Sequence, residues 1–143
     1  MNINHTLILL LFSISALQAQ NLSPYWNEET DKNGYMDSRY RIIIQPIYDG
    51  NGDFSEGLAG VNISGKWGFI DATGATVIPL QYDSVSTFSE GLVRVKLKGK
   101  WGFIDKAGKQ LVEIKYDKVS DFSESVAAVR LANKWGFIDN TGK

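Results

Sequence analysis

Three tryptophans are the residues of this chain whose spacing first suggests a binding chemistry. Trp67, Trp101 and Trp135 follow one another at one constant interval. Because an indole face stacks on sugar rings and on peptide groups, these side chains are candidate binding residues for a glycan or a peptide. The alternative is that they form the core of each copy, since a fully buried large apolar side chain contributes about 1.5–3 kcal/mol. We expect Trp135, in the last copy, to be the most exposed.

Carboxylates recur at the same interval and are candidates for acid–base chemistry. The repeated residues are Asp71, Asp105 and Asp139 in one set and Glu56, Glu90 and Glu124 in the other. A pair of carboxylates can hydrolyse a glycosidic bond, but residues that return in every copy usually serve folding, here as turn and capping residues. No copy differs from the others in a way that would create an active site.

Histidine and cysteine are nearly absent, which excludes several classes of enzyme. The only histidine is His5, and there is no cysteine. Serine–histidine–aspartate sites, cysteine–histidine sites and the usual zinc ligand sets are therefore excluded from the chain beyond its first residues. We predict a protein that is not an enzyme, with no catalytic residues and no cofactor, and a hydrolase is a remote alternative.

One acidic stretch resembles a metal-binding loop. Asp49 to Asp53 has the Asp-x-Asn-x-Asp opening of a calcium loop. An EF-hand would need glycine where Phe54 stands and glutamate where Gly60 stands, so the pattern fails at both positions. We predict a connector and no metal site.

Residues 1–19 are typical of a secretory signal peptide. An apolar run from Leu7 to Phe12 precedes a small residue, Ala19, after which cleavage is expected. A retained anchor is the alternative. We predict an exported protein of the periplasm, cell surface or extracellular space, without a stable membrane span once the signal is cleaved, and an N-terminal linker over residues 20–31.

Charge and cysteine content restrict the partners and the source of stability. The chain has 15 Lys and Arg against 16 Asp and Glu, without a basic stripe, so nucleic acid is not an expected partner. Without disulfides, stability must come from packing.

A 34-residue repeat organises residues 32–143. The motif Lys66 to Asp71 returns at 100–105 and at 134–139, and the copies are 32–65, which is degenerate, 66–99, 100–133 and 134–143, which is incomplete. Such a period indicates a repeat array. A helical tetratricopeptide array has the same period, but the glycines and the two-residue alternation in these copies exclude it.

The pattern within each copy predicts a three-stranded antiparallel meander. Apolar and polar residues alternate over 93–97, a tight turn follows at 98–99, and the motif strand and a third strand come next. With a two-residue turn at 64–65, Val61 faces Gly68 and Ala59 faces Ile70, while Trp67 lies on the opposite face. Both faces are then apolar, so consecutive copies must stack. We predict an all-β fold of meanders stacked in an open curved array, with a partial β-propeller as the alternative.

The last copy ends after its second turn, so it has no third strand to cover the motif beside Trp135. We expect either a fragment of a longer array or a partner that completes this sheet.

The motif Lys-Trp-Gly-Phe-Ile-Asp, followed by Val77-Ile78-Pro79, Tyr82-Asp83 and Phe88 to Leu92, resembles the WG repeat of bacterial proteins, also called the KWG repeat. The resemblance covers about residues 30–143; the third copy departs from it at Glu113 and Ser125, and the first copy lacks the tryptophan. It implies an all-β repeat module, often found on exported bacterial proteins and often thought to mediate binding, without catalytic residues. The leading function is therefore an exported bacterial scaffold that binds a protein or cell-envelope partner of unknown identity, and the alternative is a glycan-binding module.

Overall fold

The computed structural model describes residues 21–143, and this part of the chain consists of β-strands and turns. It contains no helix, and therefore none that is long and apolar enough to cross a bilayer. The signal peptide predicted for residues 1–19 lies outside the described residues. The fourteen strands in this range are β1 (Ser23–Asn27), β2 (Lys32–Met36), β3 (Ile42–Tyr48), β4 (Gly50–Asn51), β5 (Ala59–Ile63), β6 (Lys66–Ile70), β7 (Thr76–Tyr82), β8 (Ser84–Val85), β9 (Leu92–Leu97), β10 (Lys100–Asp105), β11 (Gln110–Tyr116), β12 (Lys118–Val119), β13 (Val126–Leu131) and β14 (Lys134–Asp139).

The described residues form four antiparallel sheets, which follow one another along the chain. Their strand orders are β1-β2-β3, β4-β5-β6-β7, β11-β10-β9-β8 and β12-β13-β14. The predicted three-stranded meander is confirmed in the first three sheets, and the fourth sheet contains its first two strands, β13 and β14. Residues 49–53 were predicted to be a connector, but they contain the short strand β4, which pairs with β5. The equivalent short strands β8 and β12 likewise pair with β9 and β13.

The N-terminal part of the first sheet differs from the prediction. Residues 20–31 were predicted to be a linker, whereas strand β1 occupies Ser23–Asn27 and pairs with β2 throughout its length. Pairing satisfies the backbone groups of both strands, and Leu22 is buried beside them. The first sheet is therefore a complete meander that begins before the degenerate motif at residues 32–37.

Two recurrent turns fix the strand register as predicted. Ser64 and Gly65 both have positive φ, 53° and 80°, which is the type I′ geometry that suits a two-residue hairpin. Accordingly Val61 faces Gly68 and Ala59 faces Ile70. In the second turn, the carbonyl oxygen of Asp71 accepts a hydrogen bond from the amide of Gly74 at 3.0 Å, and the same turn recurs at Asp105 and Asp139.

The hydrophobic core is divided among the interfaces between consecutive sheets. In the interface between the first and second sheets, Tyr35 and Ile44 pack with Val61 and Ile70. Corresponding clusters join the second sheet to the third and the third to the fourth. Each buried cluster of the described chain therefore belongs to two sheets, which confirms the expectation that the copies stabilise one another by stacking.

Candidate functional site

The three candidate tryptophans occupy the same position on equivalent strands. Trp67 lies on β6, Trp101 on β10 and Trp135 on β14. The hairpin register places Trp101 opposite Lys96 and Trp135 opposite Arg130. The structure therefore distributes the indoles one to a sheet and does not bring them together in one pocket.

Burial separates the last tryptophan from the other two. Trp67 and Trp101 are half-buried and pack against the clusters between sheets, so they combine a core role with a partly exposed edge. Trp135 is 61% exposed. The expectation that Trp135 would be the most exposed of the three is confirmed.

Cationic side chains lie over two of the indoles. The guanidinium carbon of Arg94 is 5.5 Å from the ring centroid of Trp101, and the ammonium nitrogen of Lys96 is 5.6 Å from it. The guanidinium carbon of Arg130 is 6.0 Å from the centroid of Trp135. Each contact contributes about 0.5–1 kcal/mol at an exposed site.

Phe137 is a candidate binding residue that sequence reasoning missed. It occupies the same motif position as Phe69 and Phe103, each only 1% exposed, yet Phe137 itself is 76% exposed. It lies on the same strand face as Trp135. The signal that would have found it is its place in the incomplete copy 134–143, which has no third strand in the described chain. We call the outer surface of the fourth sheet that carries Trp135 and Phe137 the C-terminal face.

In the other sheets the motif is covered by what we call the covering segment, which runs from the third strand to the phenylalanine of the following connector. For β6 this segment is residues 76–88. Tyr82 pairs with Trp67 and Ile78 pairs with Phe69 in the strand register. The ring of Phe88 then contacts Phe69 edge-on, with centroids 4.9 Å apart.

An ion pair completes each covered motif. Lys66 donates a hydrogen bond to Asp83 at 2.6 Å, and Asp83 also accepts the amide proton of Lys98 in the next hairpin turn. The corresponding pairs join Lys32 to Asp49 and Lys100 to Asp117. Within the described residues Lys134, the equivalent lysine of the last copy, forms no such pair.

The space around each motif glycine shows how closely the covering segment approaches the motif strand. A Cβ atom added to Gly68 would lie 2.5 Å from the carbonyl oxygen of Ile78, and one added to Gly102 would lie 2.6 Å from that of Val112. The corresponding position at Gly136 has no atom within 4 Å. Along residues 21–143 no strand pairs with the outer edge of β14, so this edge and the C-terminal face are open together.

The repeated carboxylates hold the fold in place. Oδ1 of Asp71 accepts the amide protons of Thr73 and Ala75 within its own turn. Glu56 reaches the next copy, where it accepts the amide proton of Gly91 at 3.0 Å, and Glu90 accepts that of Ser125 at 2.9 Å. The predicted turn role fits both sets, because Glu56, Glu90 and Glu124 have positive φ in two-residue turns. Glu56 and Glu90 also connect one copy to the next.

Several aspartates of the described chain have pKa values below the usual range, each because of its own hydrogen-bond donors. The main donor is a lysine for Asp49, Asp83 and Asp117, the backbone of Arg41 for Asp37 and the hydroxyl of Thr141 for Asp139. A catalytic acid that works near neutral pH needs the opposite shift, so these groups are suited to binding cations and amides and not to donating protons.

The calcium-like stretch also serves the fold. Asp49 pairs with Lys32 and accepts the amide proton of Ser64, and the side-chain amide of Asn51 donates to the carbonyl oxygen of Gly34 at 2.8 Å. Among residues 21–143 no group of three or more Asp, Glu, His or Cys side chains is placed to hold a metal ion.

The fold and the site define the class of the protein. It is an all-β tandem repeat protein in which each of the first three motif strands is covered by the segment that follows it in the chain. The model of the WG containing repeat family matches residues 34–67, 67–101 and 101–135, which together are well over half of the chain. The chain belongs to this family. No curated protein and no solved structure matches it significantly.

Proposed function

We propose that this protein is an exported, non-enzymatic scaffold that binds a protein partner through the C-terminal face. The observation that carries the proposal is the exposure of Phe137, 76%, against 1% for Phe69 and Phe103 at the same motif position. Exposed aromatic groups on a rigid sheet are typical of interaction sites.

The composition of this face favours a protein partner. Trp135, Phe137 and Arg130 lie on adjacent strands, and tryptophan and arginine are the residues that contribute most often to binding energy at protein interfaces. The fourth sheet, which carries these residues, packs on the third sheet through the buried cluster between the two. A rigid platform loses little conformational entropy on association, which favours binding.

Export and the absence of catalysis rest on the sequence and on how the carboxylates are used. Residues 1–19 have the character of a signal peptide, and the chain has no cysteine that an oxidising compartment would modify. The repeated aspartates are engaged in turns, and Glu56 and Glu90 are engaged in contacts between copies. These observations support a binding module at the cell envelope or outside the cell.

Site-specific photo-crosslinking tests the proposal. Benzoylphenylalanine placed at Phe137 should give a covalent adduct with one protein in cells of the source organism. The same group placed at Tyr40, which is 85% exposed and lies in the turn between β2 and β3, is the matched control. The adduct supports the proposal only if the identified protein, once purified, binds the chain directly and loses binding to a Trp135→Ser variant. Equal adducts from both positions would contradict it.

Glycan binding is the second candidate, because Trp26 and Trp135 are 55% and 61% exposed. An indole that stacks on a sugar changes its emission. Titration with a broad oligosaccharide panel should then shift tryptophan fluorescence in the chain but not in a Trp26→Ser, Trp135→Ser double variant. Unchanged emission across the panel would remove this candidate.

A further inference from the structure

We propose that one end of the stacked sheets binds the surface of an anionic phospholipid bilayer. We call it the hairpin end, and it consists of the turns at residues 28–31, 64–65, 98–99 and 132–133. The inference goes beyond the proposed function, because it concerns a surface other than the C-terminal face. The attachment is peripheral, with lysines at the lipid phosphates and aliphatic side chains in the headgroup region.

The turns of the hairpin end form one row because aspartates connect consecutive sheets there. Asp83 binds the ammonium group of Lys66 in the second sheet and accepts the amide proton of Lys98 in the turn of the third. Asp49 makes the equivalent connection from the first sheet to the second, and Asp117 makes it from the third to the fourth. Consecutive turns are therefore neighbours, and one flat surface reaches several of them.

Positive charge is concentrated on the third sheet, although the whole chain is nearly balanced. Residues 84–116, which span this sheet, include seven Lys and Arg against three Asp and Glu. Residues 50–82, which span the second sheet, include one against three. Because the two sheets have the same fold, the difference in charge is not a requirement of folding.

Three lysines place part of this charge at the hairpin end. Lys98 lies in the turn, Lys96 pairs with Trp101 near the start of β10, and Lys115 precedes the residue that pairs with Trp101 from the other side. The equivalent residues of the second sheet are uncharged, namely Asn62, Ser64 and Gln81. Within the described residues Lys96 and Lys98 form no ion pair, so their charges are available to an anionic surface.

An aliphatic side chain lies beside a lysine at three of the four turns. The pairs in the strand register are Ile63 with Lys66, Leu97 with Lys100 and Leu131 with Lys134. Ile63 is 40% exposed and Leu131 is 43% exposed. An aliphatic group next to a lysine suits the boundary of a bilayer, where the apolar part enters and the ammonium group stays at the phosphates. A soluble polyanion offers nothing to the aliphatic groups, so this pairing favours a bilayer.

The first turn of the row has the opposite character. Asn27 stands where the other sheets have the aliphatic residue, and Glu28, Glu29 and Asp31 follow it in the loop. Anionic headgroups repel such a loop. The bound chain should therefore direct its later turns toward the bilayer and its first turn away from it.

Vesicle flotation tests the proposal. The purified chain should float with vesicles of equal parts phosphatidylglycerol and phosphatidylcholine, and it should stay in solution with phosphatidylcholine alone. A Lys96→Asn, Lys98→Ser double variant takes the residues of the second sheet, so its urea midpoint should not fall. It should bind the anionic vesicles at least about tenfold more weakly. Lys115→Gln, which leaves the hairpin unchanged, should weaken binding in the same direction.

A matched control removes two charges from the other end of the same sheet. Lys106→Ala, Lys109→Ala also takes the residues of the second sheet. Its positions lie about 15–20 Å from the hairpin end, beyond the range of unscreened charge at physiological salt. This variant should bind the vesicles as the unmodified chain does. Equal losses in the two double variants would overturn the proposal, because they would show dependence on net charge alone.

Single labels test the orientation, since the chain has no cysteine of its own. A nitrobenzoxadiazole group on Ser64→Cys should shift to shorter wavelength when anionic vesicles are added, whereas the same group on Thr30→Cys should not. Equal shifts at both positions would contradict attachment through the later turns.

A last variant separates a bilayer from a soluble polyanion. Ile63→Ser, Leu131→Ser keeps every charge and should weaken vesicle binding by about fivefold or more, because two aliphatic groups no longer leave water. If this variant binds the vesicles as the unmodified chain does, the aliphatic groups have no part in binding and the assignment to a bilayer is overturned.

Discussion

Substitution of the motif glycines offers a comparison within one molecule. In Gly102→Ala the new methyl group would lie 2.6 Å from the carbonyl oxygen of Val112 and 2.8 Å from Cα of Ile114. Both are backbone atoms, so relief requires β11 to move away from β10. In Gly136→Ala nothing lies within 4 Å of the added group.

The two variants should therefore change stability in opposite directions. Overpacking costs about 1–3 kcal/mol, and we expect Gly102→Ala near the upper end, at about 2–3 kcal/mol, because rigid backbone must shift. Glycine within a strand is about 0.5–1 kcal/mol less favourable than alanine. Gly136→Ala should thus be neutral or stabilising by up to about that amount.

Urea unfolding followed by tryptophan fluorescence measures the difference. With a dependence of about 1–3 kcal/mol per molar urea for a small protein, the midpoint of Gly102→Ala should fall by about 1 M. The midpoint of Gly136→Ala should stay or rise slightly. Equal losses in the two variants would refute the reasoning, since they would show that the covering strand does not set the cost.

Three further predictions concern burial, a backbone contact and pH. Phe103→Ala should lower the free energy of unfolding by about 3–5 kcal/mol, whereas Phe137→Ala should change it by less than about 0.5 kcal/mol, and chemical unfolding of the two variants checks this. Tyr35→Phe should cost about 1–2 kcal/mol in the same measurement, because the buried tyrosine hydroxyl donates to the carbonyl oxygen of Gly52 at 2.7 Å. The lowered pKa of Asp83 means that the unfolded chain binds more protons at low pH, so stability should be lost as the pH falls from the unfolded value of 3.8 through the folded value. The midpoint of unfolding measured between pH 7 and pH 2 should decline less in Asp83→Asn, and an equal decline would count against the pair with Lys66.

The repeat and its hairpins could be predicted because they depend on neighbours close in sequence. A two-residue turn of Ser64 and Gly65 fixes which residues face each other, and the alternation of Val93, Val95 and Leu97 fixes which side is buried. Both features recur in each later copy at the equivalent positions. The stacking of sheets followed from the two apolar faces that this register produces.

Strand β1 and the exposure of Phe137 could not be predicted in the same way. The loop at residues 28–31 is longer than the equivalent turns, so β1 does not follow the 34-residue register. Around Pro24 and Trp26, apolar and polar residues also do not alternate as they do in the later strands. Phe137 has the same local sequence as Phe69. Its exposure depends on whether a following segment covers it, and the local sequence around Phe137 carries no information about such a segment.

The hydrogen bonds that the amides of Gly91 and Ser125 donate to Glu56 and Glu90 span 35 residues each, close to one period. Insertion or deletion of a whole 34-residue unit inside the array would leave every remaining unit with an equivalent neighbour, whereas a change of any other length would separate these partners. Gene duplication can therefore lengthen or shorten such a chain in whole units without redesigning any contact, and the number of units becomes a variable on which selection can act directly.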